Sequence, residues 1–464
     1  MNRPNLLSLA ATAVLLSIAS SEALAQYAPQ SGPPQYGGAP EYCQQPYQRH
    51  PSLIQMPQNH YQPPTVDHYV ESAPALWDEN RPIEHFLHEV TSRSWVRMEF
   101  MQWSMREPGG GTIGAPVSGL QNVLPNNSVE GISSPVQINN NLNGGNDAGF
   151  VLFPQSNGLS LKDAPGARGT LGVAMNGGDL ELSFFGFQQK NGELNWDNLD
   201  SARVTNAAVN AAALAALGIT VDTSLGTSLN PNYAIPLKTN GIVTNIAGLN
   251  SLIFDKSLQV SMGSRLWGSE MMFLTERYIP GEGLGFQWLG GLRYTNLDEA
   301  YAIHGVSDGG TTVQDYTADI SSTVVNNFYG PEAGVRASYN NRWFTLSATP
   351  RVMMGLNDYT ASTTATFTGP LTAGNSSTQH RKVDFGSVTQ LNMLAEIHLN
   401  TKFSIYGGYD FMWIPRLSRP NRNIDYSSIP DPTGVTGFTP DINQDINYTN
   451  FSAKGFSLGA TFRY

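Results

Sequence analysis

Phe451-Ser452-Ala453-Lys454-Gly455-Phe456-Ser457-Leu458-Gly459-Ala460-Thr461-Phe462-Arg463-Tyr464 is the stretch whose alternation decides the fold. From Lys454 onward, Phe456, Leu458, Ala460, Phe462 and Tyr464 share one face, and Gly455, Ser457, Gly459, Thr461 and Arg463 share the other. A period of two describes a strand with one apolar and one small or polar face. A half-buried strand of a soluble sheet alternates in the same way. This one, however, outruns the roughly five to six residues typical of soluble strands and matches the roughly 9 to 11 that cross a bilayer at a tilt. Such a strand cannot cross alone, because every backbone donor and acceptor in hydrocarbon needs a partner, and among strands only a closed ring supplies them all.

The N-terminus reads as an export signal over residues 1–25. Arg3 gives the positive region, residues 6–18 the apolar core, and Ala23-Leu24-Ala25 the small-residue cleavage site before Gln26. That core is too short for a spanning helix, as is the Ala-rich segment 207–218, interrupted by Asn210. Strands therefore carry any membrane crossing. Charged residues are 14% of the chain, against roughly 25% in soluble domains, which suits a surface turned toward lipid. The net charge of −11 argues against a nucleic-acid partner, which calls for a basic face. Cys43 is the single cysteine, so no intrachain disulfide framework exists, and its distance from the cleavage site argues against lipidation.

Residues 26–80 are rich in Pro, Gln, Tyr and Gly and read as a flexible, disordered periplasmic tail. Residues 81–93 read as a short amphipathic helix with Ile83, Phe86, Leu87 and Val90 on one stripe. His50, His60, His68, His85 and His88 cluster in this region, but His85-x-x-His88-Glu89 matches neither order of the zinc-protease motifs. Asp441-x-Asn443-x-Asp445 begins like a calcium loop, yet Ile446 and Ser452 replace the glycine and glutamate it needs. No metal site and no cofactor is expected.

Residues 94–464 carry the strands. Val96, Met98 and Phe100 alternate with Arg97, Glu99 and Met101, with Trp95 and Trp103 at the two ends. A hairpin follows over residues 168–187, turned by Asn176-Gly177-Gly178-Asp179. Leu258, Val260, Met262 and Leu266 are expected outward and Arg265 inward, a parity that turns Glu270 toward lipid unless Gly268 marks a bulge. Further strands begin near Phe286, Phe328, Trp343, Val388 and Phe403. Pro331 and Pro350 fall inside proposed strands and are expected at bulges or strand ends. The connections alternate long and short, as the extracellular loops and periplasmic turns of transmembrane barrels do. The fold class is therefore all-β: a transmembrane antiparallel up-and-down β-barrel of about ten strands, within a range of 8–12.

Trp95-Val96-Arg97-Met98-Glu99-Phe100, Leu182-Ser183-Phe184-Phe185-Gly186, residues 291–299 and Asn327-Phe328-Tyr329-Gly330 resemble the outer-membrane β-barrel porin family of planctomycete-type bacteria. The resemblance covers residues 95–464 and implies a bacterial outer-membrane barrel. It also implies that the closing strand, ending in Tyr464 where the usual aromatic is Phe, engages the barrel-assembly machinery.

Alternation places Arg97, Glu99, Arg168, Glu181, Arg265, Arg293, Glu332, Arg336, Arg351, Glu396, Asp410 and Arg463 in the lumen, where charge is tolerated. Trp95, Trp103, Trp288, Trp343, Trp413 and Tyr464 are the candidates for interfacial girdles. An arginine-rich ring would favour small anions in a narrow pore. Alternatively, opposite charges pair across the interior and close it, leaving a non-conducting barrel that displays long loops. A narrow porin is the first expectation and the closed interaction barrel the second. His398 with Glu396, and His304 near Asp298 and Asp308, lack a nucleophile beside them, so no catalytic residue and no enzyme is expected. The partners expected are outer-membrane lipid, the assembly machinery and a periplasmic partner of the tail.

Overall fold

The computed structural model describes residues 90–109, 111–116, 136–140, 147–197, 232–239, 250–279, 283–308, 315–430 and 437–464. The expected signal peptide, the tail, most of the expected helix and the Ala-rich segment lie outside them; residues 90–92 are helical. In chain order the strands are β1 (Ser94–Met105), β2 (Val136–Asn140), β3 (Asp147–Leu152), β4 (Ala164–Met175), β5 (Gly178–Phe187), β6 (Lys190–Asp197), β7 (Asn232–Thr239), β8 (Asn250–Phe254) and β9 (Ser257–Thr275). They continue as β10 (Leu284–Asp308), β11 (Asp315–Asn340), β12 (Phe344–Phe367), β13 (Ser376–His398), β14 (Phe403–Ser418), β15 (Ile424–Pro430), β16 (Phe438–Gln444) and β17 (Tyr448–Arg463). Among the described residues no helix is long and apolar enough to cross a membrane.

Ten strands close a ring in the order β1, β4, β5, β9, β10, β11, β12, β13, β14, β17, with every neighbouring pair antiparallel. The terminal strand closes it, Arg463 pairing with Trp95 and Ala453 with Met105. Closure removes the sheet edges, as hydrocarbon requires. β6 continues β5 along the same partner, β9, after a two-residue interruption at Gln188 and Gln189. Met175 pairs with Gly178 across the tight hairpin turn, where Gly177 takes a φ of 92°, a conformation that disfavours a Cβ.

The strands far outrun a bilayer. β10 has 25 residues and β11 has 26, where roughly 9 to 11 suffice to cross. Two of the five connections expected to be long loops are largely strand: β10 and β11 pair out to Asp308 and Asp315, and β12 and β13 out to Ala365 and Ser376.

The polarity of the alternation inverts along single strands without any change of parity. On β10 the outward residues Leu284, Trp288 and Leu292 are apolar and exposed, while inward Arg293 is buried. Eight to eleven residues beyond Arg293, outward His304 is exposed, and inward Tyr301 and Ile303 are buried. On β17, Phe456, Leu458 and Phe462 face outward and are exposed, whereas above them Lys454 is outward and Phe451 and Ala453 are buried inside. The lower half thus meets lipid with its outer face, and the upper half stands in water around an apolar interior.

This inversion corrects the expectation for β9. Leu258, Val260, Met262 and Leu266 point inward and are fully buried, while Arg265 is outward and exposed. No bulge intervenes at Gly268, since β9 keeps one register with β10 and with β5. Glu270 simply shares the parity of the leucines, in the half where the interior is polar. Pro331 and Pro350 also depart from expectation: they lie inside β11 and β12, in register with Leu292 and Leu391 on their other neighbours. The β11–β12 ladder omits the rungs at Pro331 and Pro350 but resumes in the same register. Both missing donors fall on one seam.

The connections expected to be polar loops carry a second sheet, ordered β16, β15, β7, β3, β2, with β8 paired to β7. Three separate connections contribute to it. Asp441 and Asn443 belong to β16, facing Ser427 and Asp425 of β15, so that segment is a strand and not an ion-binding loop.

Candidate functional site

The interior has two layers. In the lower half, alternate residues of the ring converge on the axis, and charges that would be prohibitive toward lipid meet one another there. Glu99 of β1 lies 3.0 Å from Arg168 of β4, which reaches Asp410 of β14 at 3.3 Å. Asp410 accepts from the amide of Asn392 on β13. The Oδ1 of Asn392 in turn accepts from Arg351 of β12 at 2.6 Å. Arg351 pairs with Glu270 of β9, and Glu270 lies 3.4 Å from Arg293 of β10, which pairs with Glu332 of β11 at 3.0 Å. This chain of eight side chains draws on eight of the ten ring strands.

Three links join strands that are three places apart in the ring, so they cross the lumen and do not run along its wall. They are Arg168 to Asp410, Arg351 to Glu270, and the bidentate Arg336 to Glu181 at 2.9 and 3.0 Å. Arg463 pairs with Glu396 at 2.8 Å and also bonds Ser404. Arg97 packs over the rings of Trp95 and Tyr406 and bonds Thr461. The side chains of Arg293 and Glu332 are 0% exposed, so water does not separate these charges.

Eleven of the twelve lumen candidates lie on the inward side of the ring; Arg265 lies outward, and Glu270 lies inward beside them. The expected set of seven arginines and five acids becomes six arginines facing seven acids, because Glu270 and Asp179, which shares the parity of Glu181, join the inward side. The surplus positive charge that suggested an anion-selective ring is gone. Alternation alone turns Glu270 toward lipid only if Leu258 to Leu266 face lipid too, and in the structure they face the interior.

Above the charged layer the interior is apolar and filled. Inward Met101, Trp103, Leu297 and Ile303 of the ring pack with Phe153, Ile235 and Phe254 from the connections in one continuous cluster. Trp103 is no girdle residue: it is fully buried, its ring 4.7 Å from that of Phe187. Trp95 also lies on the inward parity, its indole against Gly172. Trp288, Trp343, Trp413 and Tyr464 are exposed on the outer side. The plug is tied to the wall by polar links. The Tyr316 hydroxyl of β11 donates to the carbonyl of Ile253 in β8 at 2.5 Å and accepts from its N–H at 2.7 Å. Arg419 grips both oxygens of Glu299 at 2.6 and 2.8 Å, both side chains buried.

Where the plug meets the second sheet, a cavity of about 540 Å³ opens among Lys238, Tyr301, Arg422, Asp425, Tyr426 and Tyr448. Lys238 and Asp425 pair across its wall at 2.5 Å. Burial pushes the Tyr301 and Tyr426 hydroxyls well above the ordinary phenol range, so both stay neutral donors. Nothing in the sequence pointed to this cavity, because its walls come from connections far apart in the chain.

The histidine candidates separate. His398 and Glu396 do meet inside, 3.8 Å apart, but Glu396 is taken by Arg463. His304 pairs with Asp319 at 2.6 Å on the exposed outer face, not with Asp298 or Asp308. Among the described residues no group of three or more His, Cys, Asp or Glu could hold a metal.

No curated protein matches the chain. Among solved structures, the outer membrane protease OmpT from Escherichia coli is similar at 10% identity, over 81% of this chain and 97% of that one, with a TM-score of 0.38. A FadL homologue of Pseudomonas aeruginosa matches at 9% identity over 80% and 90% of the two chains, with a TM-score of 0.25. An anion-selective porin from Comamonas acidovorans matches at 12% identity over 80% and 98%, with a TM-score of 0.13. Residues 245–464, which hold seven of the ten ring strands, match the family described as "Putative beta barrel porin-7 (BBP7)". Over those residues, a little under half of the chain, the sequence is similar to that β-barrel porin family, and the ten-stranded antiparallel ring is that of a transmembrane β-barrel.

Proposed function

We propose that this barrel is closed at rest and acts through its extracellular cap, as a surface-interaction barrel of the bacterial outer membrane. The observation that carries the reading is the set of ion pairs across the lumen, in which Arg168 to Asp410, Arg351 to Glu270 and Arg336 to Glu181 each tie strands three places apart in the ring. Ten strands enclose little more than the eight whose interior side chains just fill. The apolar plug above adds a second seal, and the cavity beside Tyr301 and Tyr426 offers the cap a recess for a polar ligand. Lipid surrounds the apolar belt in this reading. The strand ending at Tyr464 serves the assembly machinery, and the N-terminal tail is left to a periplasmic partner.

Purified protein in planar bilayers tests closure: the reading expects no conductance steps at any voltage the membrane withstands, and steps from the unaltered protein overturn it. Deleting β15 and β16 with their turn should then abolish surface binding while solute uptake stays unchanged. The porin description of the family favours a second reading, a narrow channel for small solutes, and wild-type conductance would select it.

A further inference from the structure

The barrel wall has an incomplete seam. β13 and β14 pair only from His398 and Ser404 up to Thr389 and Trp413. Above that level β13 continues to pair with β12 as far as Ser376, and β14 continues with β17 as far as Ser418. The β14-facing side of upper β13 therefore meets no ring strand, and an unpaired strand edge presents donors and acceptors that need partners. The seam opens just above Trp413 and Phe456, with Phe385 on its β13 side, and all three are exposed outward residues at the top of the apolar belt on these strands. A bilayer that covers the exposed apolar belt would bring the headgroups of one leaflet to this level.

Three cations lie on the β14 side of the seam, on β14, β17 and the end of β1. Lys454 sits on β17 opposite Ser104 of β1 and Phe411 of β14. Arg106 extends β1 and donates to the Asn450 carbonyl at 3.2 Å. Arg416 stands at the register shift between Ile414 and Leu417, with a φ of 49°. That left-handed conformation is uncommon for a residue with a Cβ, and a bulge re-aims the side chain it carries. Its N–H bonds the Asn450 side chain at 3.3 Å, and its guanidinium lies 5.3 Å from the Tyr448 ring centroid. All three residues are exposed. Among the described residues none of the three is in an ion pair, although the neighbouring extracellular cations Arg381, Lys382 and Lys162 are each paired. The nearby carboxylate of Asp384 is already engaged by Lys382 at 2.9 Å and by the Tyr448 hydroxyl at 2.7 Å. Along β17 the three span residues 450–454, roughly 14 Å at about 3.4 Å per residue.

We propose that the outer face of β14, β17 and β1 beside this seam binds the phosphate-bearing headgroup of an outer-leaflet glycolipid, with Arg106, Arg416 and Lys454 on the phosphates and the acyl chains lying against Trp413 and Phe456. Continuity with the apolar belt selects a lipid over a soluble anion, because only a lipid meets the cations and the aromatic shelf together. The unpaired cations supply the charge complement, and charge-assisted contacts to phosphate are the strong ones.

Thermophoretic binding of diphosphorylated lipid A to the detergent-folded protein tests this, with the dephosphorylated glycolipid as comparison. The variant R106Q/R416Q/K454Q should bind at least about tenfold more weakly. R265Q, which removes an outward cation on the distant strand β9, should bind as the unaltered protein does. Removing the phosphates should weaken binding by a similar factor, and inorganic phosphate in about 100-fold excess should not displace the lipid. Retained affinity in the triple variant, equal binding of the dephosphorylated glycolipid, an equal loss in R265Q, or displacement by inorganic phosphate would each overturn the proposal. All three substitutions lie outside the lumen, and heat-modifiable migration in gels confirms that each variant has folded.

Discussion

Replacing Arg293 by Met should destabilise the barrel by about 3 to 5 kcal/mol, the usual cost of leaving a buried charge without its partner. The guanidinium is fully buried, 3.0 Å from Glu332 and 3.4 Å from Glu270, and its Nε bonds Thr295 at 2.9 Å. At an effective dielectric of about 20, an attraction at 3.0 Å is on the order of 5 kcal/mol, and the desolvation of both ions offsets much of it. Methionine fills similar volume without charge, so the packing loss is small. Glu270 keeps Arg351, but Glu332 is left with Arg351 at 3.9 Å as its nearest cation. The double change R293M/E332Q removes both charges and should recover at least about 2 kcal/mol of the single loss, the coupling expected within one network. Denaturant unfolding in micelles, followed by tryptophan fluorescence for both singles and the double, closes the cycle. Additive singles, or a cost for R293M below about 1 kcal/mol, would show that this charge is solvated and that the lumen is not sealed here.

The inversion of facing predicts that L292R, outward on β10 in the lipid belt, costs about 2 to 4 kcal/mol. S321R, outward on β11 above it, should change stability by under about 0.5 kcal/mol, and folding yields into lipid vesicles distinguish the two. Truncating Phe254, buried at the centre of the plug, to Ala should cost about 3 to 5 kcal/mol, visible as a lower unfolding midpoint with the membrane half still resistant to protease. Y316F removes both bonds to Ile253 and should cost about 1 to 3 kcal/mol, read as faster amide exchange across β8.

Strand parity was legible wherever a strand stays in one environment. Phe456 to Tyr464 lie wholly in the membrane half, and their alternation assigns both faces correctly. Leu258 to Leu266 carry an equally regular pattern, but it describes an apolar interior with water outside. Period two says which residues share a face and not which face meets lipid. The ion pairs were half legible: parity brings Arg168, Asp410 and Glu99 to the same side, while their partnership depends on ring order. Trp103 was misassigned because an aromatic at a strand end looks alike at an interface and at the floor of a plug. The cap was opaque, since β3, β7 and β15 come from three distant connections and pair through backbone groups that carry no side-chain signature. Pro331 and Pro350 argued for interruption, yet both losses fall on one seam, where Gly330 and Gly355 let the backbones approach closely.

Impermeant maleimide labelling along β12, in chains with Cys43 changed to Ser, tests the central claim most directly. Three single cysteines on that one strand are enough: M354C outward in the lipid belt, T366C outward above it, and A365C inward in the plug. A barrel standing half in the membrane around a filled interior predicts rapid labelling of T366C alone in intact outer membranes. Labelling of A365C at a comparable rate would reveal an open lumen, and labelling of M354C would place the apolar belt in water; either result contradicts the account.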